Sequence, residues 1–263
     1  MVRARRARKA AVYQPRDIEG IKAAAQATAE VLRELAGALR PGVSTGELDQ
    51  LAARLISATG GQSAFRGYRG FPGQICISVN DEVVHGIGRP ECILQAGDLV
   101  SLDVGIRLNG YIGDTAITRC VGGSPSRLQE RLLDITRQCL EVGIGAARAG
   151  RPVNDIGRAI ETHALAAGFS VIRDFVGHGC GRHLHEPPEV PNFACTKPGV
   201  ELQPGMVLAI EPMLCQGSGQ IVVNPDGWTA RTRDGGLSAH FEHMIAITNA
   251  DAEILTWPKK ALE

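Results

Sequence analysis

The chain has 263 residues, with 28 basic and 28 acidic side chains and an apolar fraction of 44%. That length supports one large domain or two small ones around a substantial core, and the balanced charge removes any global case for binding nucleic acid or an anionic membrane. No apolar run approaches the ~20 residues a membrane helix needs. Seven cysteines without a C-x-x-C pair argue against a disulfide framework or a thiolate zinc site, and for a reducing cytoplasm.

In chain order, the opening MVRARRARKA holds five basic side chains and no acid, and lacks the apolar run of a secretory signal. Residues 1–14 read as a flexible basic tail, with an organelle transit peptide or a weak contact to an RNA-rich partner such as the ribosome as the alternatives. Residues 15–263 read as a single domain. Helical periodicity covers 17–39 and stops at Pro41-Gly42. Ser44 with Glu47 makes a capping box that opens a helix to about Thr59. Ser124-Pro125 is expected to open a long helix ending near Gly150, and 153–167 another. Strands are expected at 75–79, 99–104, 111–118, 207–210, 220–223 and 240–248. Asn109-Gly110 predicts a two-residue hairpin turn. Nothing suggests an oligomerisation element, so a monomer is the expectation.

The chain repeats itself at an offset of 108. LQAGDLVSLD, ending on Asp103, returns as LQPGMVLAIE, ending on Glu211. At the same offset, Arg40 meets Arg148, Gly42 meets Gly150, Leu48 meets Ile156 and Gly60 meets Gly168. Two ungapped stretches sharing one offset indicate two related halves, each with two helices followed by strands. The expected class is α+β, with antiparallel strands and a pseudo-two-fold axis. That axis would set Asp103 against Glu211, and two bare carboxylates facing each other need a neutralising partner such as a cation.

Other donors join them. A two-residue turn at Asn109-Gly110 pairs Asp103 with Ala116 and leaves Asp114 as a diagonal neighbour on the same face, within ~7–8 Å. Asp114 either serves as a ligand there or caps the turn. VGHGCGRHLHEPP sets His178 between glycines and His185 seven residues later. An isolated histidine is usually a satisfied structural residue, but flanking glycines and a proline break suit a built site. In SAHFEHMIAIT, Phe241, Ile245 and Ile247 share one strand face and Glu242 takes the other. The shell Asp103, Asp114, His178, Glu211 and Glu242 suits Mn, Fe(II), Co or Zn. Four carboxylates exceed the needs of one divalent ion, so two ions about 3.5–4 Å apart, sharing a water activated for hydrolysis, are expected.

The order SVNDEVVHGIG, LVSLDVG, GYIGDT, GHGCGRHLHEPP, AIEPM and FEHMIAIT, spread over residues 17–248, resembles type I methionine aminopeptidase. The resemblance implies the duplicated pita-bread fold, removal of N-terminal methionine from nascent polypeptides, and a preference for a small second residue. It implies that Asp103, Asp114, His178, Glu211 and Glu242 are metal ligands and that Glu211 is also the general acid/base. It further implies that His185 stabilises the tetrahedral intermediate and His85 contacts substrate near the scissile amide. Tyr68, Phe71, Cys76 and Trp228 match positions that line the methionine pocket. The sequence departs from the pattern at Phe65, where a smaller pocket residue is expected, at Leu184, where an aromatic is usual, and at Cys180 and His183. Rival readings are an Xaa-Pro aminopeptidase or dipeptidase on the same fold, a non-catalytic binding relative, and a two-metal phosphoesterase. An extra N-terminal domain would favour the first, loss of ligands the second and a phosphate cradle the third. None of these features is read here.

Overall fold

The computed structural model describes residues 9–257. It begins with helices α1 (Pro15–Gly37) and α2 (Thr45–Ala58), then strands β1 (Gln62–Ser63), β2 (Cys76–Val79), β3 (Glu82–Val84), β4 (Leu99–Leu108) and β5 (Tyr111–Cys120). Helices α3 (Arg127–Ala146) and α4 (Asn154–Ala166) follow, then β6 (Ser170–Val171), β7 (Gly177–Gly179), β8 (Glu186–Val190), β9 (Val207–Ile210) and β10 (Met213–Cys215). The chain ends through β11 (Ile221–Val223), β12 (Ala230–Thr232), β13 (Ser238–His240), β14 (His243–Ala246) and β15 (Glu253–Ile254).

Local chemistry accounts for the helix boundaries. Pro15 takes the first turn of α1, where its missing N–H costs nothing. Ile21, Ala25, Thr28, Leu32 and Leu35 then recur at helical spacing and bury onto β4 and β5. Gly113 permits that approach, since a Cβ there would lie 2.4 Å from the Ala24 carbonyl oxygen. Ser44 and Glu47 form the expected reciprocal capping box of α2. The start of α3 corrects the sequence expectation: the cap is Ser126, not Ser124, because the Gln129 side chain returns to the Ser126 N–H. That helix also stops at Ala146, and Gly150 instead takes a left-handed turn whose N–H bonds to Leu202. The expected strand at 240–248 is interrupted, with β13 and β14 separated by Phe241 and Glu242.

The duplication is visible in hydrogen bonds. Gly42 N–H donates to Leu94 O and Gly150 N–H to Leu202 O; Leu94 N–H donates to Val43 O and Leu202 N–H to Arg151 O. Each pair is one bond written twice at the sequence offset. Gly42, Gly60 and Gly97 have positive φ, as do Gly150, Gly168 and Gly205. In the first half β4 pairs with β5 along ten residues, flanked by β1 and β2. In the second half the equivalent ladder is broken: β9 pairs with β14 and β10 with β13, in different sheets. The hairpin β11–β12 fills the longer connection and pairs with β3 of the first half. Each half buries its own core, one around Leu32, Leu48 and Leu102, the other around Leu140, Ile156 and Leu208. A third cluster, with Phe65, Cys76, Leu184 and Met244, spans the join.

Of the basic segment 1–14, residues 1–8 lie outside the described residues. Tyr13 is anchored, its N–H donating to Gly205 O at 2.8 Å. No described helix is long and apolar enough to cross a membrane.

Candidate metal centre and its cavity

Backbone register gathers the acids. Asn109 and Gly110 both have positive φ, the geometry of a two-residue hairpin turn, and Leu108 pairs with Tyr111. Counting back along the ladder, Asp103 pairs with Ala116 and Gly105 with Asp114. The second half docks on the outer edge of β5. Glu242 N–H donates to Ala116 O at 2.9 Å, and the Thr115 hydroxyl donates to Glu242 O at 2.7 Å. Oxygens of Asp103, Asp114 and Glu242 thereby fall within 4.8 Å of one another. On the other side, His178 pairs with Ala209 in β9, two residues before Glu211. His178 Nε2 stands 3.4 Å from Glu211 Oε1 and 3.7 Å from Asp114 Oδ2. His178, Glu211 and Glu242 make a second cluster within 4.8 Å, and Asp114, His178 and Cys180 a third.

These side chains are charged groups taken out of water. Burial raises the pKa of Asp103 to about 7. Burial, and then the charge of Asp103, pushes Asp114 and Glu211 well above the ordinary carboxylate range. Glu242 is raised by burial and then by Asp114, Glu211 and Asp103. Burial lowers His178 to about 4, so its imidazole is neutral at physiological pH. Its Nδ1 lies 3.0 Å from the Gly179 carbonyl, which can only accept, so Nδ1 carries the proton and the Nε2 lone pair faces the carboxylates. Asp103 Oδ1 and Asp114 Oδ1 are buried with no hydrogen-bond partner among the described residues. Four mutually repelling carboxylates, two orphaned oxygens and a free imidazole lone pair fit divalent cations and little else.

A cavity of about 320 Å³ opens from this cluster, and every residue expected from the sequence lines it. Phe71 meets Trp228 edge to face at 5.3 Å between ring centres. His85, half-buried and with a left-handed φ of 60°, packs edge-on against both Phe175 and Trp228. The Phe65 ring packs against β4 where Gly105 leaves room; a Cβ there would lie 2.4 Å from the ring. His185 stands at the mouth, 4.2 Å from the His178 ring and stacked on Tyr68, whose hydroxyl lies 3.0 Å from its Nδ1. Its outer edge is exposed, yet desolvation in the cavity, then His178, Arg69 and His85, hold its pKa below the usual imidazole value.

Sequence reading missed several contributors. Arg69, Val84, Asp174, Phe175, Val176 and Met213 also line the cavity. Asn192 is fully buried and donates to the Glu211 carbonyl at 3.1 Å. His240 is 1% exposed, and neither ring nitrogen has a hydrogen-bond partner among the described residues; Nε2 lies 3.9 Å from Glu211 Oε2. Phe175 carried one faint signal, its place just ahead of the Gly-His-Gly run. Asn192 and His240 stand behind Glu211: Asn192 lies beyond the GHGCGRHLHEPP run, and His240 lies inside SAHFEHMIAIT, where no spacing sets it apart.

The model of metallopeptidase family M24 matches residues 19–249, and the chain belongs to that family. Methionine aminopeptidase A of Synechocystis is 46% identical over 92% of this chain and 95% of its own length. Methionine aminopeptidase 1 of Bacillus subtilis is 45% identical over 92% and 97%. The crystal structure of methionine aminopeptidase from Thermotoga maritima superposes with a TM-score of 0.92 at 42% identity, covering 94% of this chain and 99% of that one. Within family M24 this chain sits with the type I methionine aminopeptidases. Prolidase from Pyrococcus furiosus, at a TM-score of 0.74 and 21% identity, shares the pita-bread fold.

Proposed function

We propose that this aminopeptidase removes the initiator methionine from peptides and emerging polypeptides in the cytoplasm, with two divalent ions held by Asp103, Asp114, His178, Glu211 and Glu242. The observation that carries the reading is one cavity, charged and donor-rich at its floor and apolar along its wall. When bound, the ions would supply a water acidic enough to attack an amide near neutral pH.

The remaining work belongs to the chain's own side chains. The acidic floor receives the free N-terminal amine, which restricts action to the first residue. The wall of Phe65, Tyr68, Phe71, Cys76, Leu184 and Trp228 takes the unbranched thioether side chain. Phe65 and Leu184 face the same cavity, so a large residue at the first position is matched by a smaller one at the second. Glu211, whose proton affinity is raised by burial and then by the charge of Asp103, accepts the proton of the attacking water and delivers it to the leaving nitrogen. His185 donates to the oxygen that gains charge in the tetrahedral intermediate. His85, packed edge-on against two aromatic rings, holds the amide that becomes the leaving group. A small second residue is required where the chain leaves the cavity.

The test is peptide hydrolysis by metal-stripped protein resupplied with Mn, Fe(II), Co or Zn one at a time, on Met-Ala-Ser and on Xaa-Pro peptides. Cleavage of Met-Ala-Ser after the first residue, at a stoichiometry of two ions, is expected. Preferential cleavage of Xaa-Pro substrates would replace this reading with the dipeptidase one, and saturation at one ion would remove the second.

A further inference from the structure

Tyr13 belongs to none of the motifs and precedes the first helix, yet it reaches the loop that joins His178 to His185. Its hydroxyl donates to the Glu186 carboxylate, 2.8 and 2.7 Å from the two oxygens, and accepts the Arg182 backbone N–H at 3.0 Å. Glu186 Oε1 also accepts the backbone N–H groups of Arg182, at 3.1 Å, and His183, at 2.8 Å. The phenol ring lies on bare backbone: a Cβ added to Gly181 would come within 2.5 Å of it. At its other end, the Tyr13 N–H donates to Gly205, on the turn that leads into β9 and so to Glu211. The Arg182 side chain adds a second tie, donating to Asp17 Oδ1 at 2.7 Å and lying over the Tyr111 ring.

The loop needs outside support. It is rich in glycine, which contributes no side-chain packing and carries the largest backbone entropy. Among the described residues, the His185 side chain makes one hydrogen bond, to Tyr68. An imidazole on such a segment would sample several positions unless its backbone were pinned nearby, and a displacement of about 1 Å at a reacting centre can cost ~10²-fold in rate. Glu186, adjacent to His185, is the pin, and the Tyr13 hydroxyl occupies the acceptor face of that carboxylate. Partial burial and the Glu186 bond raise the Tyr13 pKa, which keeps the hydroxyl protonated as a donor.

We infer that Tyr13 is a positioning residue for the reaction: through Glu186 it fixes the loop carrying His185 and thereby the placement of the His185 imidazole over the scissile amide. The inference rests on the proposed role of His185. It assigns the segment ahead of α1 a part in turnover that its distance from every motif conceals.

A double-mutant cycle separates the two readings. Parent, Tyr13→Phe, His185→Ala and the double variant are assayed on Met-Ala-Ser, and amide hydrogen exchange is followed in the metal-stripped proteins. Tyr13→Phe deletes one hydroxyl and leaves the ring packed. It is expected to lower kcat by roughly 10-fold while KM changes by less than about 2-fold, as for other residues that orient a functional group. Exchange at residues 181–186 speeds up in the same variant. In the His185→Ala background the same change causes no further loss. Glu186→Gln, reaching the loop from the other side of the bond, reproduces the kcat effect. Equal fold losses with and without His185, or a lower Tm with kcat retained, would overturn the positioning role. Parent activity in His185→Ala would instead sink the role of His185 itself, and the inference with it.

Discussion

In the reaction proposed above, Glu211 must do two opposed things: be buried deeply enough that its proton affinity rises, and remain available as an anion. Its surroundings divide these demands. The backbone is fixed by Asn192 on the carbonyl, while the carboxylate faces His178 on one oxygen and His240 on the other. Glu211→Gln keeps the shape and removes the proton carrier. A kcat loss of roughly 10²–10⁴-fold is expected, the usual size of a general acid–base contribution. In the metal-stripped state the same variant melts no lower than the parent, because it replaces a carboxylate that folding forces out of water with a neutral amide. Peptide kinetics and calorimetry on one preparation check both; undiminished turnover removes Glu211 from proton transfer. The sequence identified Glu211 by its place at the end of a repeated motif. It gave no access to Asn192 or His240, because neither shares a motif with it and both meet it only after strands from different parts of the chain are paired.

Among the elements, the β4–β5 hairpin has the most at stake. Its turn and its ten-residue ladder share the register that pairs Asp103 with Ala116, and a one-residue slip would turn both acids to the opposite face. Gly110 takes φ 82°, a conformation that costs a residue bearing Cβ about 1–2 kcal/mol. Gly110→Ala is therefore expected to lower Tm by several degrees, read by circular dichroism, since a chain of this size loses about 2–4 °C per kcal/mol. The ten-residue ladder holds the register, so kcat persists below the new Tm. Loss of divalent-ion binding at temperatures where the variant is folded would show instead that the turn alone sets the register. The strands of this hairpin run on to Leu108 and Cys120, past the expected 99–104 and 111–118, but its turn and register were legible in sequence, since Asn-Gly between apolar runs is a local signal with a local cause. The break between β13 and β14 was not. Residues 240–248 read as one strand, but Glu242 is drawn out of line by its bond to Ala116, a partner more than a hundred residues away.

At the scale of the molecule, two halves with separate cores press their acids together along one seam. In the metal-stripped protein this arrangement is costly. A carboxyl whose folded pKa lies above its unfolded value gives stability that is complete below the unfolded pKa, near 4, and is lost as pH rises through the folded value. Asp103, raised to about 7, and Asp114, Glu211 and Glu242, each raised well above the ordinary carboxylate range, all act in that direction. Bound cations reverse the sign, because they require the deprotonated ligands. The gap in Tm between loaded and stripped protein should therefore widen steadily as pH is raised from about 5 to about 8. Scanning calorimetry with and without chelator measures it, and a gap independent of pH would mean that the four acids do not share the bound charge.

The amino-acid sequence by itself determined the duplication, the presence of the helices and the hairpin turn, the candidate donors and the family, because each is written in short segments or in an offset that can be read without knowing where the chain goes. Phe65 and Leu184 stand out in the sequence as departures from the family pattern, and Tyr68, Phe71 and Trp228 as matches to it. Tertiary structure alone decided which donors stand next to one another, that Phe65 lies in the space Gly105 leaves, and that Tyr13 grips the His185 loop. Those relations depend on angles and distances between segments far apart along the chain. Such distances follow from how two cores pack, and no local pattern of residue types encodes them.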